Sequence, residues 1–157
     1  MRSPRIVLAL AILAAAGCAG FAARADADPK ILQDREALMK NQAQALGAVK
    51  GYLDGKADLA KAEKGAADLI DTMKKIPAVF PQGSGGKSPD GKFATKPDIW
   101  TDWNGFLAAR DTAEKKTEAL VAAVKGGNKD AIQAAFADLG KNGCGACHGK
   151  FREEVKQ

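Results

Sequence analysis

The five residues Cys144-Gly145-Ala146-Cys147-His148 lie near the C-terminus and indicate what the rest of the chain encloses. Two cysteines separated by two residues can each form a thioether to a vinyl group of haem, and the adjacent histidine can then bind the iron from one face. A structural zinc site needs four ligands, and beyond an export signal only these two cysteines and His148 are available. A thioredoxin-like dithiol belongs at a strand-to-helix turn, and no strand-like alternation precedes this motif. The motif therefore predicts one covalent haem c, attached through Cys144 and Cys147, with His148 as an iron ligand.

Upstream of the motif, hydrophobic spacing predicts four helices. The first runs from about Pro29 to Lys50, with one mostly apolar face that also carries Arg35, Gln42 and Val49. The other three are predicted from about 59 to 75, from 97 or 98 to 125, and from 128 into the haem motif.

The segment from Phe80 to Pro97 is rich in glycine, proline, serine and lysine, which predicts a long crossover loop. Phe93 within it is a candidate to cover the bundle. Short links at the first and last connections, with a long one between them, predict an all-α antiparallel four-helix bundle. We expect a single domain over residues 26–157.

The N-terminus predicts export. Arg2 and Arg5 precede the apolar run 6–16, which is too short to span a bilayer, and small residues follow it. Residues 1–25 are therefore expected to be a cleaved secretory signal, leaving Asp26 first. A lipoprotein modified at Cys18 is a less favoured alternative. In bacteria, haem is attached to c-type proteins outside the cytoplasmic membrane, so a periplasmic location is predicted.

Charge excludes one class of partner. Cleavage after residue 25 removes three arginines and lowers the formal net charge from +5 to +2. Two haem propionates bring this close to zero, so we expect no binding to nucleic acid. Paired carboxylates, a nucleophile with its base and a phosphate-binding loop are not recognisable, and we expect no enzymatic activity.

The mature chain resembles the class II cytochromes c, the family of cytochrome c′ and its low-spin, methionine-ligated relatives. The resemblance rests on the C-terminal motif with Phe151-Arg152 after it, on Lys96-Pro97-Asp98-Ile99-Trp100, and on Arg35-Glu36-Ala37-Leu38-Met39-Lys40. It implies that His148 is the proximal ligand and that Met39 faces the iron from the other side. It further implies that Arg35 lies near a haem propionate and Arg152 beside the proximal imidazole.

The sixth coordination position separates the functional hypotheses. His148 is the sole histidine, so two histidine ligands are excluded. Because Leu38-Met39-Lys40-Asn41 resembles the low-spin branch, we expect Met39 to ligate the iron and Met73 to pack in the core. A methionine on an apolar stripe is also explained by packing alone.

The favoured function is therefore electron transfer with periplasmic or membrane-bound redox proteins. The alternative is a five-coordinate cytochrome c′ that binds nitric oxide or carbon monoxide. A peroxidase-like role is disfavoured because the chain has no distal histidine. A homodimer through the first helix is possible, since Ala43 and Gly47 leave room for close contact.

Overall fold

The computed structural model of the protein describes residues 27–156. The predicted signal peptide and the alternative lipid attachment at Cys18 lie outside the described residues. Among the helices of the described part, none combines the length and apolar character needed to cross a membrane.

Four long helical segments form the antiparallel bundle that the sequence predicts. The first two are α1 (Pro29–Leu53) and α2 (Leu59–Met73). The third consists of α3 (Asp98–Thr101) and α4 (Trp103–Gly126). The fourth consists of α5 (Lys129–Asp138), a π-helical segment (Leu139–Gly145) and α6 (Ala146–Phe151). A 3₁₀ turn, Ile76–Val79, follows α2.

The core lies between these segments and consists mainly of aliphatic residues. α1 packs on α2, α2 packs on α4, and α4 packs on α5 and the π-helical segment. A Cβ atom at Gly65 would lie 2.6 Å from the carbonyl oxygen of Ala45 and 2.8 Å from the Cβ of Ala48. Only glycine therefore permits this close approach of α1 and α2. The side chains at the centre of the core are fully buried: Val49, Leu69, Leu120, Val124, Ile132 and Leu139.

The third helix is interrupted, whereas the sequence predicts a continuous one. Asp102 has φ −125° and ψ 57°, outside the helical region. Its carboxylate accepts a hydrogen bond from the backbone N–H of Gly105 at 3.0 Å. Aspartate is a favoured N-cap residue because its side chain satisfies a free N–H at the helix start. A new helix, α4, therefore begins after the break, with Asp102 as its N-cap.

The crossover segment and the C-terminus form a small sheet that the sequence analysis does not predict. Strand β1 (Phe93–Thr95) pairs antiparallel with β2 (Arg152–Glu154), with Thr95 opposite Arg152 and Phe93 opposite Glu154. Two further backbone bonds extend the pairing, from Lys96 N–H to the Phe151 oxygen and from Val155 N–H to the Lys92 oxygen. Each strand has three residues, and their pairing joins segments far apart in sequence, so neither shows the long alternation from which strands are recognised. The sheet holds the crossover segment against the end of the haem motif.

Candidate haem-binding site

The predicted site residues line one cavity of about 380 Å³. The lining residues come from α1, the crossover segment, α4 and the end of the fourth helical segment. All six residues singled out from the sequence border this cavity: Arg35, Met39, Cys144, Cys147, His148 and Arg152.

The apolar row of α1 that lines the cavity is only partly covered by other residues of the protein. Leu32, Met39 and Leu46 recur every seven residues, line the cavity and are only partly buried. The neighbouring row, which includes Arg35, Gln42 and Val49, is buried within the protein. A half-covered apolar row beside a cavity is the surface that a large apolar group such as haem would cover. The residues of this wall therefore fit the predicted cofactor.

The π-helical segment positions the first cysteine. A Cβ atom at Gly143 would lie 2.9 Å from Leu139 Cδ1 and 3.3 Å from the Cα of Ala113 in α4. The absence of a side chain at this position therefore lets the segment lie directly on α4. Wide π-helical turns within α-helices occur frequently at functional sites. Here the segment contains Cys144, and α6 follows it with Cys147 and His148.

The electrostatics of the two thiols argue against a redox or zinc-binding role. Burial raises the pKa of the Cys147 thiol to about 11, and the neighbouring Cys144 adds to the shift. Burial also raises the pKa of Cys144. The thiolate is the form that attacks disulfides and binds metals, so these thiols are poorly suited to either role. Within residues 27–156, no group of three or more histidine, cysteine or acidic side chains is arranged to hold a metal ion.

His148 is held in the neutral form that can bind iron. Burial, and secondarily the positive charge of Arg152, lower its pKa to about 4. At neutral pH the imidazole is therefore unprotonated and offers a nitrogen lone pair to a metal. Two thiols and a neutral imidazole along one wall provide the donor set that covalent haem attachment requires.

The side-chain hydrogen bonds of Arg35 within the protein run to neutral groups. Its side chain is 7% exposed. The Nε atom donates to the carbonyl oxygen of Val79 at 3.0 Å, and one terminal nitrogen donates to the carbonyl oxygen and the hydroxyl of Ser84 at 2.9 and 2.7 Å. The guanidinium carbon also lies 4.2 Å from the centre of the Phe80 ring.

These contacts show how the buried charge is tolerated without a carboxylate. No acidic side chain forms an ion pair with Arg35 within the described part of the chain. Burial lowers its pKa to about 10, so the guanidinium remains charged at neutral pH. The contacts fasten the crossover segment to α1, and Ser84 could not be foreseen because its glycine-rich surroundings have no periodicity.

Arg152 lines the same cavity as His148, but it lies outside the haem-motif helix. The resemblance placed it one helical turn after His148, whereas α6 ends at Phe151 and Arg152 begins β2. Its charge nevertheless contributes to the lowered pKa of His148. Phe93, proposed from the sequence as a cover, lines the cavity next to it.

Aromatic packing completes the cavity. The Phe106 ring in α4 lies 5.0 Å from that of Phe80 and 5.4 Å from that of Phe151, between ring centres. Phe106 belongs to the core and is 2% exposed. Its position on the cavity wall required the tertiary structure.

A helical bundle whose cavity presents the Cys-x-x-Cys-His motif to an apolar helix face defines a class of c-type haem proteins. Comparison with known proteins gives the family. A family model described as cytochrome c′ matches residues 30–152. The cytochrome c′ of Rhodopseudomonas palustris is 32% identical over 137 residues, covering 85% of this chain and 86% of the relative. The chain belongs to the cytochrome c′ family, and its cofactor is one haem c bound covalently through Cys144 and Cys147.

Solved structures agree with this assignment. A nitric oxide complex of a cytochrome c′ variant from Alcaligenes xylosoxidans has a TM-score of 0.69 and 26% identity, covering 82% of this chain and 99% of that one. A carbon monoxide-bound variant of the same protein has the same TM-score, sequence identity and coverage of both chains. The comparisons do not support the low-spin, methionine-ligated branch expected from Leu38-Met39-Lys40-Asn41, because the matching family and relatives are cytochromes c′.

Proposed function

We propose that this protein is an exported haem c protein that binds nitric oxide or carbon monoxide at the haem face next to α1. The observation that carries this proposal is that one cavity is lined both by His148, which is held neutral, and by the partly covered apolar row of α1. A sole axial histidine on one side leaves the α1 side for a small ligand.

The chain's own residues have separable roles in this proposal. The haem supplies an iron atom that binds diatomic gases. Cys144 and Cys147 fix its position and orientation, and His148 provides the proximal nitrogen. Burial lowers the pKa of His148 and keeps the imidazole unprotonated, and the positive charge of Arg152 adds to this effect. The apolar side chains of α1 exclude water and leave space for a small neutral molecule.

Arg35 has two roles in the proposed gas-binding protein. Its bonds to Val79 and Ser84 hold the crossover segment in place. Because it also lines the cavity and is charged, it remains the candidate partner for a haem propionate.

Two observations on relatives support gas binding over electron transfer. The family model and the curated relatives are cytochromes c′. The Alcaligenes xylosoxidans protein, whose fold matches, has been obtained with nitric oxide and with carbon monoxide.

A second candidate function is a low-spin electron carrier in which Met39 is the sixth ligand. It is favoured by one feature, the position of Met39 on the cavity wall of α1. A thioether is a soft donor that stabilises ferrous iron and raises the reduction potential. The partners would then be periplasmic or membrane-bound redox proteins.

Optical spectra of the purified holoprotein, with carbon monoxide titration, distinguish the two. Gas binding predicts a high-spin centre that takes up carbon monoxide promptly, and a Met39→Leu variant with unchanged spin state. A low-spin wild type that binds the gas slowly and becomes high-spin in Met39→Leu would instead establish the carrier. Met73→Leu is the matched control, because Met73 also lines the cavity but belongs to α2.

Export is tested separately. The mature holoprotein should have the mass of a chain that begins at Asp26 plus one haem. A lipid-modified Cys18 would contradict this and attach the protein to a membrane surface.

A further inference from the structure

We propose that Gln42 donates a hydrogen bond to the diatomic ligand and thereby favours nitric oxide over carbon monoxide. This inference rests on the proposed gas-binding function. It concerns a residue that neither the haem motif nor the family resemblance singles out.

Gln42 is a buried amide on the same side of the cavity as Met39. It lies three residues after Met39 in α1, on the adjacent helical position, and both line the cavity. Its side chain is 8% exposed. The cavity residues beside it are largely apolar, including Leu46, Met73 and Phe106.

The hydrogen-bonding capacity of Gln42 is not used up by the protein. Its only side-chain hydrogen bond within residues 27–156 runs from Nε2 to the Met73 sulfur at 3.7 Å. A thioether is a weak acceptor, and a glutamine amide has two N–H donors and a carbonyl oxygen. One N–H and the carbonyl therefore have no hydrogen-bond partner in the described part of the protein. Among the described residues, the buried side-chain atoms without a partner are Glu36 Oε1 and Arg110 Nε, so the unpaired amide oxygen of Gln42 keeps some accessible surface.

Burial limits the freedom of the amide. Gln42 is 8% exposed, and Met73, whose sulfur it contacts, is 1% exposed at the end of α2. A donor with little freedom loses little conformational entropy when it bonds to a ligand.

A donor at this position acts unequally on the two gases. Nitric oxide bound to ferrous iron is a better hydrogen-bond acceptor than carbon monoxide. The N–H of Gln42 therefore strengthens the binding of nitric oxide more than that of carbon monoxide. An amide hydrogen also shifts electron density onto bound carbon monoxide and lowers its stretching frequency.

The test uses the holoprotein and the variants Gln42→Met and Gln44→Met. Both remove an amide at similar volume, but Gln44 is exposed on α1, so Gln44→Met is the matched control. We expect Gln42→Met to lower the preference for nitric oxide by up to roughly tenfold, the range of one hydrogen bond. We also expect a higher carbon–oxygen stretching frequency. Gln44→Met should leave both unchanged.

A measurement on the wild type keeps the test independent of folding of the variant. The carbon–oxygen frequency should differ between H₂O and D₂O, because the amide hydrogen exchanges. An unchanged frequency in D₂O, or a Gln42→Met variant with wild-type gas preference, would overturn the role of Gln42. Failure of wild type to bind either gas would refute the proposed function itself, and the inference with it.

Discussion

The guanidinium carbon of Arg152 lies 4.0 Å from the centre of the Phe93 ring. Phe93 begins β1 in the crossover segment, and Arg152 begins β2 directly after the haem-motif helix. A cation over an aromatic face is attracted by the ring's electron density. The pair therefore supports the same contact between distant segments that the β1–β2 hydrogen bonds make.

We expect Phe93 and Arg152 to be energetically coupled. Each single change to alanine should lower the free energy of unfolding, and the double mutant should lose less than the sum. The coupling should be about 0.5–1 kcal/mol, the usual size for a partly exposed cation–π pair. Urea unfolding of the four proteins measures it. Strict additivity would show that the contact contributes nothing.

Arg35→Ala should destabilise the protein by about 2–4 kcal/mol, because it leaves the carbonyl oxygens of Val79 and Ser84 without their donor. Ser84→Ala removes only the hydroxyl bond and should cost about 1 kcal/mol. Thermal unfolding of the apoprotein compares them without any contribution from haem. Equal effects would mean that the carbonyl bonds add no stability.

Gly65→Ala should lower the free energy of unfolding by about 1–3 kcal/mol, since the new methyl group has no room between α1 and α2. Gly47→Ala is the matched control. A Cβ there meets nothing within 4 Å, so alanine's helix propensity should stabilise the protein by about 0.5–1 kcal/mol. Urea midpoints give both values. A destabilising Gly47→Ala would indicate that this surface is covered, as in the predicted homodimer.

We expect the ionisation of Asp102 to make the stability of the folded protein depend on pH. Hydrogen bonds from Lys150, at 2.7 Å, and from the Gly105 N–H lower its carboxyl pKa below 3.8. The carboxyl pKa of Asp102 is lower in the folded protein than in the unfolded chain. The charged carboxylate therefore stabilises the fold above a pH of about 4, and this stabilisation is lost as the pH falls through the pKa of the folded protein. Asparagine keeps the cap but removes the charge. The melting temperature of Asp102→Asn should therefore fall below wild type at pH 7 and converge with it in acid. A gap that persists in strong acid would contradict the assignment.

Haem should stay with the polypeptide after acid denaturation and extraction with organic solvent, because two thioethers hold it. Cys144→Ser and Cys147→Ser each leave one thioether, and the double variant should release the haem. Colour in the solvent phase of the wild type would refute covalent attachment.

The local chemistry of the site could be predicted from sequence. The spacing of Cys144, Cys147 and His148 is itself the requirement for haem attachment, so no tertiary information was needed. The helices were predictable for a similar reason, because periodicity and caps are properties of neighbouring residues. Asp28 and Asn128 cap α1 and α5 through their own side chains. The seven-residue spacing of Leu32, Met39 and Leu46 in α1 was also visible, although the cavity that they line was not.

Tertiary structure decided the features that depend on residues distant in sequence. The acceptors that the protein supplies to Arg35 come from Val79 and Ser84, more than forty positions away in the sequence. The β1–β2 pairing required the crossover segment to meet the end of α6, and three-residue strands have no pattern of their own. The amide of Gln42 became a candidate donor only when its single partner proved to be the Met73 sulfur. In each case the side chain specifies what it can bind, while the packing of the helices determines which groups come within reach.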